Sequence, residues 1–160
     1  MNKCRYGFLL GAVAAPVIWL TQAVFPSTRP DDDAGPLIIR VYLCFFLYFA
    51  AAGFLAARKS HRLGDGFRVG ALTALVGVGL IMAAFMLVDN LYLETVSQQV
   101  DKIWGFAHSN YASMRQYINW SLLNGVVFVL PVLTLLGGLL GGVGGLCARK
   151  FSWPRHPLDA

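Results

Sequence analysis

The chain has 160 residues, of which 57% are apolar and only 13% are charged, and its mean hydropathy is +0.60. An ordinary soluble domain is about a quarter charged, so the shortage of charge is the informative deviation. The net charge of +5 is distributed over the connections between long apolar segments. It is therefore a signal of membrane topology, and we expect no nucleic acid among the partners.

Four apolar segments of membrane-spanning length follow one another along the chain. They cover residues 6–25, 37–57, 67–88 and 121–148. Each reaches the roughly 20 residues that a helix needs to cross about 30 Å of hydrocarbon. The sequence thus predicts an all-α, polytopic membrane protein with a single membrane domain, a bundle of four transmembrane helices in contact with membrane lipid.

The first segment has a second interpretation, because it also has features of a cleaved signal peptide. Lys3 and Arg5 precede the apolar run, and small and polar residues follow it. The run is longer than a usual signal core, however, and it contains Pro16 and Trp19. We expect an uncleaved first span. Cleavage would leave three spans and an N-terminus on the outer side.

Basic residues predict the orientation. Nine of the thirteen lysines and arginines fall on the side that holds both termini and the connection between the second and third segments. Because basic residues near span ends stay in the cytoplasm, both termini are predicted to be cytoplasmic, in a plasma (inner) membrane.

Small residues recur in the spans, most densely in the last one. Two parallel rows at four-residue spacing contain Gly137, Gly141 and Gly145, and Gly138 and Gly142. Shorter rows occur elsewhere, such as Gly66 and Gly70 in the third segment. Small residues let membrane helices approach closely. The pattern favours packing within one bundle, with self-assembly around a pore as the alternative.

Residues 89–120, between the third and fourth spans, form an unusually long connection with a helical pattern. Apolar residues at three- and four-residue spacing, among them Val96, Val100 and Ile103, predict an external helical segment with Trp104 beside them. Two arrangements fit the pattern. The segment lies on the outer membrane surface as a hairpin, or, as we expect, the two spans extend outward and present an apolar face to a partner protein.

Polar side chains near the predicted outer ends of the spans form a candidate outer cluster. Its members are Gln22, Arg40, Asp89, Asn90 and Asn124. We expect Arg40 to pair with Asp89 and the cluster to cap the bundle, rather than to bind a ligand.

The sequence contains no pattern that indicates a cofactor, a metal or a catalytic residue. The histidines His61, His108 and His156 all fall in connections or tails, away from any buried haem. Metal-binding spacings and phosphate-binding loops are absent from the sequence. Three functional hypotheses remain. The first is a non-enzymatic membrane subunit or accessory protein that binds a protein partner, the second is a self-assembling pore or transport homo-oligomer, and the third is an outer-leaflet enzyme.

Overall fold

A computed structural model describes residues 3–23 and 35–150, and every regular element in these ranges is a helix. The helices are α1 (Lys3–Ala23), α2 (Gly35–Ser60), α3 (Leu63–Leu91), α4 (Leu93–Val96), α5 (Val100–Ala107) and α6 (Met114–Lys150). The predicted all-α class is confirmed.

Three of the described helical segments are long and apolar enough to cross a membrane. They are Val41–Ser60, Leu63–Leu91 and Met114–Lys150, and they correspond to the second, third and fourth predicted segments. Helix α1 coincides with the first predicted segment up to Ala23, without being one of these three. Its membrane crossing, and with it the four-span count, stays a prediction.

Helix α1 runs beside α3 in the same direction. A first side-chain carbon (Cβ) added at Gly7 would lie 2.9 Å from Cβ of Leu72, and one added at Gly11 would lie 2.6 Å from Cβ of Val76. The positions in contact thus advance together along both helices. Helix α1 is therefore in close contact with α3 over at least one turn.

Helices α3 and α6 run in opposite directions. Gly66 faces Gly141, whereas Gly70, one turn further along α3, faces Gly137. Two residues connect α2 to α3, and the two helices pack against each other, so the chain also reverses there.

The helix directions give the molecule two distinct ends. Helices α1 and α3 begin, and α2 and α6 end, at one end, which we name the basic end because Arg58, Lys59 and Arg62 lie there. The opposite end, which holds α4 and α5, is named the α5 end.

The interior combines a few large side chains with many small ones. Phe45, Phe49, Ala74, Val78 and Leu133 are buried in one cluster between α2, α3 and α6. The small residues bring the helices close together, and the larger ones fill the space that remains. Packing of this kind, rather than apolar burial alone, holds helices together in lipid.

Two hydrogen bonds connect α1 to its neighbours. The hydroxyl of Tyr48 donates to the carbonyl oxygen of Leu10 over 2.8 Å, and the hydroxyl of the buried Thr73 donates to the carbonyl oxygen of Gly7 over 3.4 Å. Both use backbone carbonyls, which the helix geometry leaves with a spare acceptor position. They fix α1 against α2 and α3.

The connection 89–120 is helical, but it is not a continuation of both spans. Helix α3 ends at Leu91, and α6 begins at Met114, seven residues before the predicted start of the last span. Between them, the extended backbone of Gln99 (ψ 133°) separates α4 from α5. Helix α6 thus supplies one of the two predicted outward extensions, over residues 114–120, whereas α3 ends at Leu91 and two short helices lie between them.

Candidate functional site

The closest contact among three of the helices is centred on Gly141. A Cβ at Gly141 would meet the carbonyl oxygen of Gly66 and would lie 2.9 Å from Cα of Gly70. A Cβ at Gly53, on α2, would meet the backbone of Gly141 itself. Backbones of α2, α3 and α6 therefore touch here without intervening side chains, and there is no room for even a methyl group.

The same row continues in both directions along α6. A Cβ at Gly137 would meet the side chain of Ala74, and one at Gly145 would lie 3.1 Å from Cβ of Ala57. The row Gly137, Gly141 and Gly145 thus faces α2 and α3 of its own chain. A second copy cannot reach this surface while the described helices stay together.

The second glycine row has mixed surroundings. A Cβ at Gly138 would lie 2.8 Å from the ring of Phe67, whereas one at Gly142 would meet nothing within 4 Å. Gly144, which belongs to neither row, is as tightly enclosed as the first row, since its Cβ would meet the carbonyl oxygen of Ala50 on α2. The spacing of the glycines in the sequence did not show that Gly142 is open and Gly144 enclosed.

Helix α5 presents an apolar face that no described residue covers. Val100, Ile103 and Trp104 are 63, 50 and 67% exposed, respectively. These positions lie on one side of the helix, because residues three and four apart are neighbours on a helix surface. Three of the four predicted partner-binding residues thus form one exposed patch, which we name the α5 patch.

The other side of α5 rests on α6. Gly105 lies directly against Tyr117, where a Cβ would be 2.9 Å from the ring carbon Cζ. The rings of Phe106 and Tyr117 are 6.1 Å apart. Lys102, on this same side, interacts electrostatically with Asp89 near the end of α3. These contacts place α5 at the level where α3 ends.

Val96, the fourth predicted partner-binding residue, lies apart from the α5 patch. It is only 8% exposed and belongs to α4, on the other side of the extended Gln99. The side chain of Trp104 is flanked by His108, with ring centroids 4.3 Å apart, and His108 Nδ1 lies 2.8 Å from the Trp104 carbonyl oxygen. The ring of His108 therefore lies against the exposed Trp104 at the end of α5.

Among the described members of the predicted outer cluster, Asn90 makes a direct contact between helices. The side-chain amide of Asn90 donates to Oδ1 of Asn119 over 2.6 Å and to the carbonyl oxygen of Met86 over 2.8 Å. Asn119 was missed by sequence reasoning, because it lies just before the predicted span. The hydrogen-bonded side-chain amides of Asn90 and Asn119 therefore join α3 to α6 at the α5 end of the molecule.

The remaining members of the cluster are not brought together in the described part of the chain. Asn124 is exposed on α6, and the side chains of Gln22 and Arg40 lie outside the described residues. The expected Arg40–Asp89 pair includes one of these side chains, that of Arg40, and it therefore stays a prediction.

Potential metal ligands do not converge in the described part of the chain, where no group of three His, Cys, Asp or Glu side chains is placed to hold an ion. One acidic side chain, Asp65 in the first turn of α3, is 3% exposed. The predicted spans 37–57 and 67–88 leave Asp65 in the connection between them. In the structure it lies next to Gly66, where α3 and α6 approach closely.

No protein-family model, curated protein or solved structure matches the chain. The functional interpretation therefore depends on the geometry of the chain itself.

Proposed function

We propose that this protein is a non-enzymatic integral membrane subunit that binds a partner protein through the α5 patch. The observation that carries the proposal is the exposed apolar surface of Val100, Ile103 and Trp104 on a helix whose other side rests on α6. Aromatic side chains such as Trp104 are enriched among the residues that dominate binding energy at protein interfaces.

The proposed membrane arrangement has four spans, with α1 as the first. Its contacts with α2 and α3 support this placement, because α1 packs against α3 from Gly7 to Ala14 and accepts a hydrogen bond from Tyr48 of α2. Both termini are proposed to be cytoplasmic, in a plasma (inner) membrane, which puts the α5 patch on the outer side. The excess of lysine and arginine at the basic end supports this orientation.

The surroundings of the glycines favour the subunit over the self-assembling pore. A pore built on the row Gly137, Gly141 and Gly145 would need that row to face a second copy. In the described chain the row faces α2 and α3 instead. The α5 patch, by contrast, is available without rearrangement.

The packing of α5 against α6 also favours binding. Gly105 brings α5 into contact with Tyr117. A surface held in place before binding loses little conformational entropy when a partner arrives. The patch alone is smaller than a standard interface of about 800 Å² per partner, so we expect neighbouring exposed residues to contribute.

The test is co-purification of tagged full-length protein, extracted gently from its native membrane. The triple variant Val100→Ser, Ile103→Ser, Trp104→Ser should lose a stoichiometric second polypeptide that the wild type retains. The control variant Gln98→Ala, Asp101→Ala changes exposed polar residues of the same segment and should retain it.

Two results would contradict the proposal. One is a wild-type protein that purifies without a stoichiometric partner. The other is a triple variant that keeps the partner as well as the control does. If the wild type is alone and the Trp104 indole is quenched by lipid-borne quenchers, the patch rests on the membrane surface instead.

A further inference from the structure

Basic side chains from all four long helices lie at the basic end, and each of them is exposed. They are Arg5 on α1, Arg58 and Lys59 on α2, Arg62 immediately before α3, Arg68 on α3, and Arg149 and Lys150 at the end of α6. A contact between α1 and α2 joins part of this arrangement. The Lys59 ammonium nitrogen lies 5.1 Å from the centre of the Tyr6 ring, within the usual range of a cation–π interaction.

Exposed charge at this end has one sign in the described part of the chain. The acidic side chain there is Asp65, and it is buried. The α5 end differs, since exposed Glu94 and Asp101 accompany its basic residues. The two ends of the molecule are therefore electrostatically distinct.

Exposed apolar side chains begin within five residues of the basic ones on every helix. They are Phe8 on α1, Leu55 on α2, Phe67 on α3 and Leu146 on α6. Five residues of helix correspond to about 7.5 Å. Each of the four helices thus carries exposed charge and exposed hydrocarbon close together near the basic end, which is the pattern of a headgroup boundary. Binding of a water-soluble polyanion would not require these exposed apolar side chains beside the basic ones.

We propose that the basic end binds anionic phospholipids, with a lipid phosphate held between Arg5 and Lys59 at the start of α1 and the end of α2. The contact between Lys59 and the Tyr6 ring brings the ammonium group beside α1, next to Arg5 in sequence. The acyl chains of the same lipid lie along the exposed Phe8 and Leu55. Arg58 and Arg62 add to the attraction without contacting this phosphate. The proposal is independent of the α5 patch.

The experiment uses full-length protein in micelles that contain equal amounts of phosphatidylglycerol and phosphatidylcholine. Native mass spectrometry counts each lipid that stays bound. We expect the wild type to retain phosphatidylglycerol preferentially. The variant Arg5→Gln, Lys59→Gln should lower this preference at least tenfold, since each basic residue near a lipid surface contributes about a fivefold effect.

The matched control removes the same number of positive charges at the other end, with Lys102→Gln, Arg115→Gln, and should keep the preference. The charge-conserving variant Arg5→Lys, Lys59→Arg should keep it as well. A wild type that retains both lipids equally would overturn the proposal, and so would equal losses in the two double variants. Raising the salt to about 1 M shortens the Debye length to about 3 Å and should weaken the wild-type preference. An unchanged preference at that salt would also overturn the proposal, whether or not the variants fold.

Discussion

Replacing Gly141 by alanine tests whether backbone contact between α2, α3 and α6 stabilises the protein. The added methyl group would meet the Gly66 carbonyl oxygen and lie 2.9 Å from the Gly70 Cα atom. Real Cβ atoms essentially never approach other heavy atoms within 3.0 Å, so at least one helix has to move. Since these neighbours are backbone atoms, no side-chain rotation relieves the overlap.

The magnitude follows from two opposing effects. Alanine is favoured over glycine in a helix interior by about 1 kcal/mol. Overpacking of a close-packed interior costs about 1–3 kcal/mol, and the enclosure of Gly141 by two helices places it at the upper end. We expect Gly141→Ala to lower the free energy of unfolding by about 2 kcal/mol. Gly142→Ala, one residue further along, meets nothing within 4 Å and should raise it by up to about 1 kcal/mol.

The assay is thermal unfolding of both variants in the same detergent, followed by circular dichroism. For a chain of this size about 1 kcal/mol corresponds to 2–4 °C, so Gly141→Ala should lower Tm by about 4–8 °C while Gly142→Ala leaves it unchanged or higher. Equal Tm values for Gly141→Ala and the wild type would refute the close approach of the three helices. An equal loss in Gly142→Ala would show that any added methyl group on α6 is harmful.

Three further predictions concern individual contacts. Gly105→Ala should displace the Tyr117 ring from α5, and changed NMR chemical shifts of that ring would reveal it; unchanged shifts would contradict the observed packing. A double-mutant cycle on Asn90 and Asn119 with alanine should give a coupling of about 0.6 kcal/mol, the mean for such bonds in membrane proteins, and additive effects would mean that the amides do not bond. Tyr48→Phe should destabilise the protein by a similar amount in detergent unfolding, because α1 loses a hydrogen bond, and no change would show that this bond contributes nothing.

The helical class and three of the apolar spans were predictable from the sequence, because hydrocarbon length sets the length of a span directly. The segments 37–57, 67–88 and 121–148 each correspond to a helix with the composition of a span. The start of α6 at Met114 was not predictable in this way. Its first turns contain polar residues such as Arg115 and Gln116, and hydropathy does not report a helix that begins before the apolar run.

The contacts of individual residues were less predictable from the sequence. The rows of glycines indicated close helix approach, but Gly142 and Gly144 differ only in the direction in which they point. That direction depends on the rotation of α6 about its axis. Likewise, the helical spacing of Val96, Val100 and Ile103 predicted one shared face, and the break at Gln99 removes Val96 from it. Local backbone breaks and helix rotation are set by tertiary packing, which a periodic pattern does not contain.

The most direct test of the proposed function is the native mass of the wild-type protein extracted gently from its own membrane. The 17.5 kDa chain should appear in a complex with a second, different polypeptide in fixed stoichiometry. A mass equal to a whole-number multiple of the chain alone, with no other polypeptide present, would contradict the subunit proposal and favour self-assembly.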